Sequence, residues 1–320
     1  MNRLGEILGF LTEGDEYVSG DYISSRLGLT RTAVWKYVKQ LRQMGYAINT
    51  LKGMGYSLKS APDRLYPWEV ERYLRTRCIG RNIEYKESTD STNALAFRLA
   101  LGGAGEGTCV IAEEQKAGKG RLQRTWFSPF GKNLYLSVIL RPRLHPSLVY
   151  PVSFLSSLAV HNTLVELGLE PSLKWPNDVL VNGKKICGTL LELSTEADLV
   201  RFVVVGVGLN VNLERAEMQD DIRSKATSLH LETKIVYERA RVCGMLLGNI
   251  ESYYDLLKSK GPVMLARMWE EKAKIKGKYL EVTQQGEVFR GIAHGVGEDG
   301  ALLLDDRGKV QRIIAGDVSF

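Results

Sequence analysis

Apolar residues recur at helical spacing from the start of the chain, where Leu4, Ile7, Leu8 and Leu11 predict a helix over roughly 2–13. A second helix is expected over 20–27, broken by Gly28, and a third from an N-cap at Thr30 to just before Gly45. In the third, Val34, Tyr37, Val38, Leu41 and Met44 share one face. Arg31, Thr32, Lys36, Lys39 and Gln43 fall on or near the other. Residues 48–58 then read as two strands around the turn Lys52-Gly53-Met54-Gly55. This is the spacing of a helix-turn-helix with a wing. It predicts a third helix entering a major groove, with Arg31, Thr32, Lys36, Lys39 and Lys52 as DNA contacts. The alternative is a solvated basic face. Trp35, at the border of the two faces, is expected to pack against the wing.

A proline-punctuated connection, from Pro62 to Pro67, leads into a mixed pattern. Strands are expected over 109–113, 134–140, 173–175, 179–181, 188–193 and 202–212, and helices over 92–101, 148–167 and 237–258. Helices alternating with apolar strands imply a sheet covered by helices. From Ala273 the pattern turns to strands alone, over 279–283, 287–296, 301–304 and 311–315. Gln285-Gly286, Asp299-Gly300 and Arg307-Gly308 supply the turns of a small β-barrel. The expectation is an α/β multidomain chain, with domains at 1–62, 63–272 and 273–320.

Composition changes this picture in two places. The formal net charge of +6 is unremarkable for 320 residues, but its distribution is not. Residues 31–60 contain Arg31, Lys36, Lys39, Arg42, Lys52 and Lys59 and no acid, which favours a nucleic-acid footprint. The four cysteines (Cys78, Cys109, Cys187, Cys243) form no C-x-x-C pair and have no histidine cluster nearby, so reduced thiols are expected and no metal site. The first residues have the spacing of an amphipathic helix rather than a signal peptide's apolar core, and no run approaches a membrane span's ~20 apolar residues. A cytoplasmic protein with no membrane partner is the expectation.

Common nucleotide motifs are excluded first. There is no P-loop. A literal G-x-G-x-x-G at 295–300 leads into a strand, not a helix, and reads as hairpin turns. Gly206 and Gly208 fail that spacing and read as sites of close backbone approach in a buried strand. The loop Gly118-Lys119-Gly120-Arg121, with Arg124 and Trp126, is different in kind. Its glycines let backbone approach a ligand, its cations donate to an anion, and its indole offers a stacking face. Ser91, Thr92 and Asn93 follow at a strand-to-helix junction, and Gln115 ends a strand. In Lys174-Trp175-Pro176-Asn177-Asp178, Pro176 biases Trp175 towards an extended conformation, and Asn177 and Asp178 suit a turn. Lys185 lies beyond the turn Asn182-Gly183, so a hairpin would return it to the same place.

These residues, in this order, resemble the bifunctional biotin ligases that also repress biotin operons, and the resemblance spans nearly the whole chain. It implies an N-terminal winged helix-turn-helix, a central mixed α/β catalytic domain of the class II synthetase-like biotin protein ligase fold, and a C-terminal SH3-like β-barrel. It also implies that Ser91, Thr92, Asn93 and Gln115 bind the biotin ring, while Lys119, Gly120, Arg121 and Lys185 hold its carboxylate or acyl phosphate. Lys119, Arg121, Arg124, Trp126, Asn177 and Asn210 would hold ATP and the adenylate. Lys185, Asp178 and Arg121 would be catalytic. The family reaction joins biotin and ATP, with Mg2+, into biotinyl-5'-AMP. It then passes the biotin to a lysine of the biotin carboxyl carrier protein of acetyl-CoA carboxylase or pyruvate carboxylase. Implied partners are operator DNA of biotin genes and a second copy of the chain when the adenylate is bound. Lys119 departs from the family loop, which often carries arginine there. Competing readings are a ligase whose DNA-binding domain is silent, and a lipoate-type ligase.

Overall fold

The computed structural model describes residues 3–12, 17–284 and 286–319. Asn2 and Glu13 of the first expected helix, and the turn residue Gln285, lie outside the described residues. Contacts divide the chain into two units, Met1–Glu69 and Val70–Phe320.

In the first unit, α1 (Arg3–Thr12), α2 (Gly20–Leu27) and α3 (Arg31–Gln43) precede an antiparallel hairpin of β1 (Ala47–Leu51) and β2 (Gly55–Ser60). The local signals explain the breaks. The Ser19 hydroxyl accepts the Tyr22 N–H, Gly28 ends α2 at φ 64°, and Thr30 caps α3 by accepting the Ala33 N–H. Ile7, Leu8, Leu11, Ile23, Val34, Val38 and Leu41 are buried and form the core. Arg42 ties α3 to the wing by donating to the Ile48 carbonyl at 2.9 and 2.6 Å and to the Thr50 hydroxyl at 2.6 Å. Gly55, at φ 121°, passes so close to the Val18 carbonyl that a Cβ would overlap it. Trp35, expected to pack against the wing, is 50% exposed. At ~100° per residue it points well off the buried stripe of Val34 and Val38, while Arg42 hydrogen-bonds the wing.

The second unit starts within α4 (Pro67–Glu71) and is built on a seven-stranded sheet in the order β3-β4-β5-β9-β8-β7-β6. Its strands are β3 (Ile83–Thr89), β4 (Cys109–Gln115), β5 (Leu134–Leu140), β6 (Pro171–Lys174), β7 (Asp178–Val181), β8 (Lys184–Glu196) and β9 (Leu199–Leu209). Only the β3–β4 pair is parallel. Helix α5 (Thr92–Leu101) buries Ala96 and Ala100 against Val110, Ile139, Phe202 and Val204 of the sheet. Helix α6 (Val152–Glu166) packs on β6 to β9, and the short α7 (Asp220–Arg223) and α8 (Leu229–Thr233) follow the sheet. Helices α9 (Arg239–Lys260) and α10 (Pro262–Ala273) back α6. The stretch Pro146–Glu166 is long and apolar enough to cross a membrane, but 67% of it is buried inside the protein, as suits a core helix.

Several boundaries differ from expectation for local reasons. The strand at 173–175 stops at Lys174, and residues 175–177 form a turn whose Trp175–Pro176 bond is cis. The helix expected from 148 starts at Val152, after a single 3-10 turn. Helix α10 begins where Gly261-Pro262 reads as a breaker, since proline is well placed in a helix's first turn. Strand β3 has a mostly half-exposed, charge-rich sequence at a sheet edge and carries no apolar run to signal it.

The remaining strands, β10 (Tyr279–Gln284), β11 (Glu287–Val296), β12 (Leu302–Asp306), β13 (Lys309–Ile313) and β14 (Asp317–Ser319), form one antiparallel sheet in the order β13-β12-β11-β10-β14. The glycines at 295–300 seat this sheet on the rest of the unit. The Val296 N–H donates to the Glu270 carboxylate at 2.7 Å, and the Gly300 carbonyl accepts from Trp175 Nε1 at 3.2 Å. At Gly300, φ 83°, a Cβ would stand 2.6 Å from the Tyr150 ring.

Candidate active site

A cavity of about 1190 Å³ opens at the ends of β4, β8 and β9. It gathers all thirteen ligand and catalytic residues expected from the sequence of this unit: Ser91, Thr92, Asn93, Gln115, Lys119, Gly120, Arg121, Arg124, Trp126, Asn177, Asp178, Lys185 and Asn210. Arg31, Thr32, Lys36, Lys39 and Lys52 are all exposed in the N-terminal unit. Arg31 there pairs with Asp21 at 2.6 Å, a solvent-exposed bridge of the kind worth under about 1 kcal/mol.

The inner end of the cavity is a neutral hydrogen-bonding recess. Ser91 caps α5, so Thr92 and Asn93 are fixed in its first turn, and all three are buried. Gln115 Oε1 accepts from the Thr92 N–H at 2.9 Å and its hydroxyl at 3.1 Å, while Gln115 Nε2 donates to Ser128 at 3.0 Å. The Ser137 hydroxyl lies 2.6 Å from Asn93 Oδ1 and 2.9 Å from the Thr92 hydroxyl. Asn93 Nδ2 donates to Glu192 at 2.9 Å, which fixes which way the amide faces. A Cβ on Gly206 would overlap the Asn93 amide. The recess is thus rigid and polar, lined by neutral side chains with the Glu192 carboxylate set behind the Asn93 amide, which suits a ring rich in N–H and C=O groups.

The loop 118–126 folds back on itself. Gly120 N–H donates to the Arg124 carbonyl at 2.7 Å and Trp126 N–H to the Gly118 carbonyl at 2.9 Å, with Leu122 at the tip in a left-handed conformation (φ 52°). This sets the Trp126 indole on a floor of two glycines. A Cβ on Gly208 would overlap its ring, and one on Gly188 would come to 3.0 Å. The buried indole N–H has no hydrogen-bond partner among the described residues, so it is available to a ligand acceptor.

The mouth is cationic. Lys185 Nζ lies 2.7 Å from Asp178 Oδ1 and 5.4 Å from the Trp126 ring centre, returned to the site by the Asn182-Gly183 turn, whose φ values are 50° and 73°. Arg121 donates to Asn177 Oδ1 at 3.3 Å, and Asn177 in turn donates to the Thr189 carbonyl. Arg124 pairs with Asp317 of β14, which joins the loop to the C-terminal sheet. Asn210 is held by the Thr227 carbonyl at 2.9 Å and by Asn133 at 3.3 Å. Below it, Arg239 and Glu113 form a fully buried ion pair at 2.8 Å. Cys187 adjoins this wall, but burial pushes its thiol well above the usual range, which leaves it no nucleophile. Among the described residues no three metal-ligating side chains converge.

Sequence reasoning grouped Gly188 with Lys185 and missed Gly206, Gly208, Ser137 and Glu192 as site residues. The glycines were legible as points of close approach, but what approaches them was not. Ser137 and Glu192 carry no local signal at all, since each matters only through Asn93 and Thr92 across the sheet.

Three families match in series: an HTH domain at residues 3–57, the biotin/lipoate A/B protein ligase family at 85–210, and the biotin protein ligase C-terminal domain at 277–320. The bifunctional ligase/repressor BirA of Bacillus subtilis is 35% identical over 97% of this chain and 96% of its own length. That of Escherichia coli is 29% identical over 98% and 96%. Among solved structures, a biotin protein ligase from Aquifex aeolicus in complex with biotin and ATP matches with a TM-score of 0.63 at 29% identity, over 75% of this chain and 98% of that one. With the glycine-floored cavity, the basic winged helix and these matches agreeing from end to end, the chain belongs to the family of bifunctional biotin ligase/repressors.

Proposed function

We propose that this cavity condenses biotin with ATP, and that its residues divide the work between a neutral recess and a cationic mouth. The observation that carries the reading is the convergence of the Ser91–Gln115 recess, the folded 118–126 loop and the Lys185–Asp178 pair on one cavity. Ser91, Thr92, Asn93 and Gln115 bind the biotin ureido ring. Lys119, Gly120, Arg121 and Lys185 hold the carboxylate as it attacks the α-phosphorus of ATP, and pyrophosphate leaves. Arg124, Trp126, Asn177 and Asn210 serve the nucleotide side. Bringing a carboxylate onto a triphosphate opposes like charges, and each preorganised donor there contributes about 3–4 kcal/mol to the transition state.

Lys185 is neutralised by Asp178 before ligand arrives. Exchange of that partner for the acyl phosphate frees Asp178, which then orients and deprotonates the carrier lysine, an amine of pKa about 10.4 in isolation. The amine attacks the mixed anhydride, AMP leaves, and the folded loop keeps water out meanwhile. Mg2+ would enter with the nucleotide and its own waters, and Asp178 is a cavity carboxylate that could help to hold it. When bound it offsets the triphosphate charge.

The domains at 1–62, 63–272 and 273–320 divide operator binding, chemistry and support of the loop. The carrier belongs to acetyl-CoA carboxylase or pyruvate carboxylase, and the setting is the cytoplasm. The adenylate also promotes a homodimer. Strand β8 pairs with β7 only up to Gly188, so among the described residues no strand covers its edge over 190–196, and a second copy can add there. Incubation with ATP, labelled biotin and a carrier domain tests the ligase assignment. Labelled adenylate without carrier, and labelled carrier with it, are expected; labelled carrier without ATP would contradict the mechanism.

A further inference from the structure

Trp35 is the residue of the winged helix that the fold leaves unexplained. An indole is large enough that folded proteins normally bury most of it, yet this one is 50% exposed in the middle of a well-capped helix. It is not part of the core, whose contribution from α3 is Val34, Val38 and Leu41. The wing itself is anchored by Arg42, through Ile48 and Thr50.

Its surroundings identify what it faces. At ~100° per residue, Trp35 lies ~40° around the helix from Lys39, one turn on, at the edge of the arc that carries Thr32 and Lys36. All three of those are exposed. The Lys39 ammonium stands 5.5 Å from the centre of the indole ring, over one of its faces. No acid occurs anywhere in 31–60. Asp21 pairs with Arg31 at the foot of the helix, while the cations beside the indole, Lys36 and Lys39, call for an anionic partner. The occupant that matches an apolar plate within a cationic arc is a polyanion with apolar groups set behind its charges. Duplex DNA is that: phosphates line the groove, and the thymine 5-methyl is the one apolar group on its major-groove floor.

We propose that Trp35 is a base-reading residue, which packs its free edge on a thymine methyl in the major groove while Lys39 and Lys36 take the flanking phosphates. This rests on the assignment of the N-terminal unit to operator binding, and gives that binding a named sequence preference. The lysines supply salt-dependent affinity common to all sequences, and Trp35 supplies discrimination at one base pair of each half-site.

The test uses the full-length protein saturated with biotin and ATP, and a duplex selected with it from a random pool. Deoxyuridine replaces thymine one position at a time, removing the methyl and nothing else. For the native protein, one position per half-site is expected to lose about fourfold in affinity, the loss of one buried methyl-sized group. Trp35→Ala should weaken binding to the all-thymine duplex and erase the uracil effect at that position alone, with the salt dependence unchanged. Lys36→Ala should lower the slope of affinity against salt by about one per half-site and keep the uracil effect. Trp35→Phe should retain part of it, and circular dichroism of each variant checks that the helix is intact. A uracil effect that survives in Trp35→Ala, or native affinity in that variant, overturns the proposal while leaving operator binding in place. Absence of salt-dependent binding by the native protein would sink operator binding, and this inference with it.

Discussion

The loop 118–126 and the turn at 295–300 are both glycine-rich, and only the second fits a familiar nucleotide motif. Yet the loop lines the cavity, and the turn lies in a packing seam against Tyr150 and Phe154. What separates them is what the backbone approaches. In the loop, Gly118 packs on the Trp126 carbonyl and Ser128, and the indole so placed lies over Gly208 and Gly188 of β9 and β8, whose missing side chains leave room for a ring that a ligand can use. At Gly300 the missing side chain leaves room for the Tyr150 ring, so the same residue type serves cohesion. Cations complete the difference: Lys119, Arg121 and Arg124 stand in the loop itself, while Glu270 supports the seam. Glycine spacing therefore marks close approach, and the charges around it show whether a ligand or the protein itself is approached.

The sharpest break in this comparison comes from charge. Arg121→Ala should slow adenylate formation by about 10²- to 10³-fold, the usual cost of one preorganised donor, and leave the melting temperature unchanged, as rapid-quench and calorimetry would read. Gly206→Ala, whose Cβ collides with the Asn93 amide, should raise the biotin Kd about 100-fold, since a misplaced binding group costs on that order. In the seam the signs reverse. Gly300→Ala should cost about 1–3 kcal/mol of stability by overpacking at a positive φ and leave adenylate formation per folded molecule near the native rate, as urea titration and an active-site count would show. The smallest effect belongs to Lys119→Arg. A planar fork should slow escape of the adenylate by roughly twofold, read as the rate of its release into solution.

Much of this was legible in the sequence because the signals are local. Gly28, Thr30 and Gly45 announce the helix breaks of the winged helix within a few residues of where they act. Most of the thirteen residues brought to the cavity lie in short motifs of unusual composition, while Asn210 follows only from the family resemblance. What escaped depends on neighbours distant in the chain. Glu192 matters because Asn93, 99 residues away, donates to it. The three-residue strand β14 exists because β10 offers it an edge, and it carries Asp317 to Arg124. Trp35 escaped for the opposite reason: a border position on a helical wheel usually means packing, and here half of the indole is left to solvent.

The central claim is that one cavity turns biotin and ATP into a single ligand and keeps it. Thermal unfolding of the full chain with biotin alone, with ATP alone and with both tests it most directly, because a ligand stabilises in proportion to the logarithm of its concentration over its Kd. Both together should raise the transition by clearly more than the sum of the separate shifts, and Arg121→Ala should reduce the effect to that sum. Shifts that merely add in the native protein would contradict the account.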